Sequence, residues 1–256
     1  GAIASVPGVV ILDVSSDTSH NRTVLTFVAN TENAVQAAFN GIAKARELIV
    51  KTGLEYLDSL AESAQNDQSL QSELGAAYAR IGEIEGDPIN ANLGKFDDAR
   101  KSLDKASQLL EDAVRESPDD VEARKRLVNA YFLRSRFAYG QRNWNDHIQL
   151  AEKGLRIGEP LLKQRPTDEE LRRLVAELVG QLSVANHAQG KEVEAVGYSE
   201  RHLAILRESP AAAHPDREYR YLLASGLSVL GNYETFANRR ESGLKHLTEA
   251  ATELDK

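Results

Sequence analysis

Two short apolar runs with a polar segment between them open the chain. Residues 9–14 and 23–28 are rich in β-branched side chains, and residues 15–22 are a cluster of Ser, Asp, Thr, His and Asn. Apolar β-branched runs bounded by turn residues are typical of strands, so the pattern predicts a β-hairpin. Two strands alone are marginally stable in water, and their free edges favour association with more sheet.

A long helix is predicted next, with Asn30 or Thr31 as its N-cap. Its apolar positions recur at helical spacing, at Val35, Phe39, Ile42 and Ile49. Residues 45–60, ARELIVKTGLEYLDSL, contain neither proline nor a turn cluster, so the same helix is expected to continue from Glu32 to Ala64. At 1.5 Å per residue it would span roughly 50 Å and would hold the hairpin and the following segments in one orientation.

The rest of the chain has a 48-residue period. Four similar segments carry a residue at the same place, 48 positions apart: Ala99, His147, Ala195 and Gly243. A constant period of about 20 to 50 residues is typical of solenoids, because each helical hairpin leaves an apolar face open until its neighbour covers it. We also predict that Thr167 and Glu170 form a capping box at the start of one helix.

The predicted fold is therefore mostly α. Residues 45–256 are expected to form an α-solenoid of about four helical hairpins. Residues 1–49 are expected to form a truncated β-β-α unit that shares a continuous helix with the solenoid.

Residues 1–49 resemble part of the N-terminal subdomain of formiminotransferases. The matching positions are Gly8-Val9, Leu12-Asp13-Val14, Asp17 with His20-Asn21-Arg22, and Thr26-Phe27-Val28. The family's opening Val-Pro-Asn-Phe-Ser-Glu-Gly motif and its later His-Pro-Arg region with the catalytic histidine are missing, which implies a fragment that is no transferase by itself. Two interpretations of residues 20–22 stay open: folate-site residues inherited from the enzyme, or a polar turn.

Residues 45–256 resemble the tetratricopeptide-repeat (TPR) region found after the kinase domain in some bacterial serine/threonine kinases and regulators. The resemblance rests on Leu74-Gly75, Tyr78 and the Gly-Asp-Pro-x-x-Ala-Asn-Leu-Gly loop that ends at Gly94. It implies partner binding, although the period exceeds the usual ~34 residues of that repeat. No kinase motif is present. Two origins are open for the combined chain: an engineered helical fusion, or chimera, and a natural gene fusion.

Composition narrows the function classes. The 256 residues are 41% hydrophobic and carry a net charge of −8, which argues against a broad nucleic-acid or anionic-membrane surface. Cys and Met are both absent, so no thiolate chemistry is available. No apolar run approaches a membrane span and no signal peptide is recognised, so we expect a cytoplasmic protein.

Candidate catalytic chemistry is weak. None of the six histidines pairs with another at metal-binding spacing beside a carboxylate, and His147 occupies a small-residue position of its repeat, so we expect it to be packed. We expect core packing also for an aromatic cluster that might instead anchor a ligand, formed by Tyr131, Phe132, Phe137, Tyr139 and Trp144. The carboxylate pairs at 97–98 and 119–120 are expected at helix starts.

We therefore expect a non-enzymatic protein–protein interaction or assembly scaffold with no cofactor, no metal and no catalytic residue. Its concave face should bind an extended peptide or a helix of a partner protein. From the repeat register, the groove residues are predicted to be Asn129, Leu133, Glu177, Gln181 and Ser225, with plain solvated surface as the alternative. Association of copies through the N-terminal hairpin is a further expectation. The competing hypothesis is a formiminotransferase-related, folate-dependent enzyme fragment with a regulatory repeat domain.

Overall fold

The computed structural model describes residues 1–17, 22–63 and 67–255. His20 and Asn21, for which the sequence left two interpretations open, lie outside the described residues. Within the described part the chain is mostly helical, with one two-stranded antiparallel sheet. The strands are β1 (Val10–Asp17) and β2 (Arg22–Val28). The helices are α1 (Thr31–Ser63), α2 (Gln68–Gly86), α3 (Phe96–Glu116), α4 (Val121–Gly140), α5 (Trp144–Gln164), α6 (Glu169–Ala188), α7 (Glu192–Arg207), α8 (Arg217–Phe236) and α9 (Arg240–Leu254), with a 3-10 turn at Pro210–Ala213.

Contacts divide the chain into an N-terminal unit, Gly1–Asp58, and a helical unit, Ser59–Lys256. The boundary falls inside α1, whose bounds agree with the predicted helix to within one residue at each end. The domain assignment of residues 1–49 and 45–256 stays a prediction.

In the N-terminal unit, β1 and β2 pair with Val10 opposite Val28 and Ile11 opposite Phe27. The register shifts between Ile11 and Asp13, which places a bulge at Leu12. The predicted β-hairpin is thereby confirmed. Ile11 and Phe27 are half-buried whereas Val10 and Val28 are exposed. The sheet therefore has exposed apolar side chains.

The first helix begins where the sequence predicts. The Asn30 Oδ1 accepts a hydrogen bond from the Asn33 amide at 2.8 Å, so Asn30 is the N-cap. The Asn33 side chain donates to the carbonyl of Pro7 at 2.8 Å, which ties the start of α1 to the segment before β1. Further along, Ile3 lies over Gly41, where an added Cβ would come within 2.7 Å of the Ile3 Cδ1.

In the helical unit, consecutive helices pack as pairs: α2 on α3, α4 on α5, α6 on α7 and α8 on α9. Each pair also contacts the next through α3–α4, α5–α6 and α7–α8, and the alternate helices α2, α4 and α6 contact in turn. Amphipathic helices are stabilised mainly by such burial of their apolar stripes. The largest core cluster joins α4, α5 and α6 through Val128, Leu161, Leu171, Val175 and Leu178.

Aspartates begin four of these helices, and at the first of them the Asp67 Oδ1 accepts a hydrogen bond from the Leu70 amide of α2 at 3.0 Å. The carboxylates of Asp120, Asp168 and Asp216 accept hydrogen bonds from backbone amides three residues on, at 3.0, 3.0 and 2.8 Å. The predicted capping box at Thr167 is therefore wrong, because α6 starts one residue later and Asp168 is its cap. Glu170 pairs instead with Lys125 of α4, Nζ to Oε2 2.9 Å.

The last helix pair, α8 and α9, approaches closely at two facing glycines. A Cβ added at Gly231 of α8 would lie 2.7 Å from the Gly243 carbonyl oxygen of α9, and one added at Gly243 would lie 2.6 Å from the Gly231 oxygen. Gly243 occupies the small-residue position of the repeat, so this feature of the sequence has a direct steric reason.

Candidate functional site in the helical unit

A cavity of about 300 Å³ opens in the helical unit between α4, α5, α6, α7 and α8, with Ile89 of the α2–α3 loop at one side. Its walls are largely apolar, with Phe132 of α4, Val184 of α6, and Leu222 and Val229 of α8. The volume is at the lower end of the range for ligand sites.

The structure brings three of the five predicted groove residues to this cavity. Glu177 and Gln181 lie one helical turn apart on α6, and Ser225 lies on α8. Asn129 is half-buried on α4 and does not line the cavity. Partner binding by these residues stays a prediction.

Leu133 is the fifth predicted residue, and its side chain is buried, 5% exposed. It lies with Gly82, Leu103 and Phe137 in a small internal space where α2, α3 and α4 meet. The expectation that it faces a partner is not met, because α2 and the α2–α3 loop cover this end of α4. Gln181 and Val229, which lie 48 and 96 residues after Leu133, do line the cavity.

The buried carboxylate of Asp87 connects the α2–α3 loop to Arg136 in the cavity wall. Asp87 accepts hydrogen bonds from the Ile89 amide at 3.0 Å and from the Asn90 side chain at 2.6 Å. Its Oδ2 also accepts from the Nη2 of Arg136 at 2.7 Å, and that nitrogen lies 3.2 Å from the Glu83 Oε1. The positive charge of Arg136 is thus neutralised inside the protein.

Two histidines support the cavity wall. The Nδ1–H of His202 donates to the Ala176 carbonyl at 2.8 Å, since only the nitrogen can be the donor in that pair. His147 is 1% exposed, which confirms that it is packed. Its Nδ1 lies 2.8 Å from the Ser135 carbonyl and its Nε2 3.1 Å from the Gln181 carbonyl. Burial lowers the pKa of His147 below its ordinary 6.5, because the charged imidazolium loses its hydration.

A Ser–His contact exists here but is not arranged for catalysis. The Ser135 Oγ lies 2.8 Å from the His147 Nδ1, yet Ser135 is completely buried, so no substrate reaches the hydroxyl. The other ring nitrogen faces a backbone carbonyl rather than an orienting carboxylate. Within residues 1–17, 22–63 and 67–255, no group of three or more His, Asp or Glu side chains could hold a metal ion. None of the helices in the described part combines the length and apolar character that crossing a bilayer requires.

For the aromatic cluster, core packing was expected, with a ligand anchor as the alternative. Phe132 and Tyr139 line the cavity, and Tyr139 is 39% exposed. Tyr139 also contacts Trp144 edge-on, with ring centroids 5.7 Å apart, so it serves both packing and the cavity wall. The repeat register could have found Val229, which follows Gln181 by one repeat. Arg136 and His202 carried no signal in the sequence.

The comparisons with known proteins concern mainly the N-terminal unit. The family model of the formiminotransferase domain, N-terminal subdomain, matches residues 1–50. The match ends there. It confirms the resemblance inferred for residues 1–49, whereas the TPR resemblance of residues 45–256 stays a prediction.

Curated relatives match the same segment. A glutamate formimidoyltransferase from Thermoplasma acidophilum is 58% identical over 48 residues, which cover 19% of this chain and 16% of the relative. A formimidoyltransferase-cyclodeaminase from Sus scrofa is 50% identical over 48 residues, 19% of this chain and 9% of the relative. The chain thus matches less than a fifth of either relative. Among solved structures, the crystal structure of BtubC (BKLC) from P. vanneervenii covers 82% of this chain and 91% of that chain at 15% identity, with a TM-score of 0.38.

Proposed function

We propose that the helical unit is a TPR-like α-solenoid that recognises a partner protein, without catalysing a reaction. The helix bounds support a repeat, because α3, α5, α7 and α9 begin with a constant 48-residue spacing, at Phe96, Trp144, Glu192 and Arg240. Helices α4, α6 and α8 begin with the same spacing, at Val121, Glu169 and Arg217. Stacked equivalent hairpins present equivalent first helices side by side, and such surfaces bind extended segments.

The observation that carries this proposal is the cavity, because its walls come from α4, α6 and α8, the first helices of three successive pairs. A ligand seated there would contact several repeats at once. Its apolar walls with a few polar groups fit the side chains of an extended peptide.

A peptide array tests this function. Full-length protein is applied to nonapeptides of varied sequence, and bound peptides are remeasured by fluorescence anisotropy with a Leu222→Arg variant. The bulky charged side chain should obstruct the apolar wall and weaken binding by more than tenfold. Leu244→Arg on the exposed surface of α9 is the control and should bind as the parent does. Absence of binding to every peptide, or equal binding by the Leu222→Arg variant, would refute the proposal.

A second candidate function is a formiminotransferase-related, folate-dependent enzyme fragment with the helical unit as a regulatory part. The family match over residues 1–50 supports this hypothesis more directly than any comparison supports the first. Calorimetric titration of the full chain with tetrahydrofolate distinguishes the two, with glutamate alone as the control ligand. Saturable binding of the folate would favour the enzyme-derived function, and no heat beyond dilution would remove it.

We further propose that the N-terminal unit associates with a second copy of itself. Large apolar residues at least half exposed occur on both of its elements: Val10, Leu12, Val14, Val24 and Val28 on the strands, and Val35, Phe39, Ile42, Leu48, Ile49 and Tyr56 on α1. Four of the helix positions, from Val35 to Tyr56, are seven residues apart, as on a coiled-coil face. At roughly 100 Å² each, these side chains together expose about 1,000 Å² of apolar surface, comparable in area to one side of a stable interface.

Light scattering measures this association. The intact chain should show the mass of a dimer or larger assembly at micromolar concentration. A Phe39→Ser, Ile49→Ser double variant changes only exposed positions and should be monomeric. An intact chain that stays monomeric throughout the concentration range would contradict self-association.

A further inference from the structure

The cavity of the helical unit contains one charged side chain that no other group neutralises. Glu177 is half-buried on α6, and no described residue forms a hydrogen bond or ion pair with its carboxylate. Other polar groups of the wall are already used: the Ser183 Oγ donates to the Ala195 carbonyl at 2.7 Å and lies 2.6 Å from the Ser199 Oγ. A half-buried carboxylate without a partner can form a charge-assisted hydrogen bond with a ligand cation.

The groups beside Glu177 are also acceptors. One turn further along α6, the Nε2 of Gln181 faces the Phe132 carbonyl at 3.5 Å, which orients the amide so that its oxygen is the free end. That oxygen is enclosed by protein and accepts no hydrogen bond from any described residue. His202 uses its Nδ1–H on the Ala176 carbonyl, so that donor is not free for a ligand.

Arg136 is the only arginine or lysine among the described residues of this wall, and its charge is already neutralised. The guanidinium of Arg136 is held by Asp87 at 2.7 Å and Glu83 at 3.2 Å. His147 is buried with both ring nitrogens facing backbone carbonyls, so neither nitrogen is available to a ligand. Charge complementarity therefore favours a positively charged group.

The remaining lining suits the rest of such a ligand. Phe132, Leu222 and Val229 provide apolar contact, and a lysine or arginine side chain combines an apolar stem with a charged head. We infer that this cavity binds a lysine or arginine side chain of an extended peptide, with the methylenes against these apolar residues and the cationic head at Glu177. The inference rests on the proposed peptide-binding function and specifies its ligand.

The experiment separates the effect of the peptide's positive charge from that of its apolar contacts. An array of nonapeptides carries lysine, norleucine or glutamate at the central position, with the flanking positions varied among Leu, Val, Phe and Ser. Norleucine has the same apolar chain as lysine but no ammonium group. Binding of the best lysine peptides and their norleucine and glutamate counterparts is measured by fluorescence anisotropy, and the parent chain should bind lysine about tenfold more tightly than norleucine.

Two variants identify the carboxylate responsible. In Glu177→Gln the preference for lysine over norleucine should fall to about one, while the norleucine peptides bind as before. Glu194→Gln, which removes an exposed carboxylate from α7 and changes the net charge equally, should keep the tenfold preference. Both variants should match the parent's thermal midpoint.

The outcomes separate the two proposals. Peptide binding with no lysine preference, with a preference for glutamate, or with a lysine preference that survives in Glu177→Gln overturns the cation site and leaves the peptide-binding function standing. Failure of every peptide to bind overturns both.

Discussion

The contact between Gly231 of α8 and Gly243 of α9 leads to the sharpest stability prediction. An alanine Cβ at Gly231 would lie 2.7 Å from a backbone oxygen, about 0.7 Å short of ordinary contact, and 2.8 Å from the Leu247 Cγ. Because a backbone atom cannot rotate away, the two helices must separate, which costs about 1–3 kcal/mol. Alanine favours the helix over glycine by up to about 1 kcal/mol, which offsets part of this cost. Gly231→Ala should therefore lower the free energy of unfolding by about 1–2 kcal/mol.

The matched control is Gly197→Ala on the exposed face of α7, where an added Cβ meets nothing within 4 Å. Only the higher helix propensity of alanine acts in that variant, so its free energy of unfolding should rise by up to about 1 kcal/mol. The two variants thus make the same chemical change with opposite predicted signs. Urea unfolding followed by far-UV circular dichroism measures both, and the thermal midpoint of Gly231→Ala should fall by about 3–6 °C. If Gly231→Ala is as stable as Gly197→Ala, the close helix contact is not what requires glycine.

Three further changes test buried polar groups. Asp87→Ala removes the ion-pair partner of Arg136 and two hydrogen bonds within the α2–α3 loop. It should therefore lower the free energy of unfolding by about 3 kcal/mol. A loss below about 1 kcal/mol in urea unfolding would contradict this expectation. Because burial lowers the pKa of His147 in the folded state, the unfolded chain takes up the proton first as the pH falls, so the free energy of unfolding should decrease from about pH 7 to 5. The His147→Asn variant should show a weaker dependence of stability on pH. An unchanged dependence would show that His147 is not its cause. Burial raises the pKa of Glu85 above its ordinary 4.5 despite the Ser102 hydrogen bond, so Glu85→Gln should stabilise the protein at pH 7, with the gain disappearing by about pH 4 in parallel urea titrations.

Much of the secondary structure could be predicted from local patterns in the sequence. The strand pair, the cap at Asn30 and the extent of α1 follow from hydrophobic spacing and capping chemistry, which depend only on neighbours along the chain. The capping error at Thr167 is a choice between two neighbouring residues that can both cap a helix. In the structure Asp168 is the cap, and the Lys125 ammonium of α4 lies 3.1 Å from its carboxylate, a contact that local patterns do not contain.

Only part of the candidate site could be predicted from the sequence. The 48-residue register placed Glu177, Gln181 and Ser225 on related helix faces, and the structure brings them to one cavity. The same register treats Leu133 as equivalent to Gln181, yet Leu133 is buried. The difference lies outside the repeat, since α2 and the loop held by Asp87 cover that end.

The amino-acid sequence by itself determined the helical and strand segments, the repeat spacing and the formiminotransferase-like N-terminal segment, because periodicity, capping and family motifs are properties of consecutive residues. Only the tertiary structure decided which polar groups find partners. Arg136 is neutralised from α2 and its loop, His147 is enclosed by α4 and α6, and Glu177 is left without a partner among the described residues. Hydrogen bonding and burial depend on distances between residues remote in the chain, and one sequence does not state those distances.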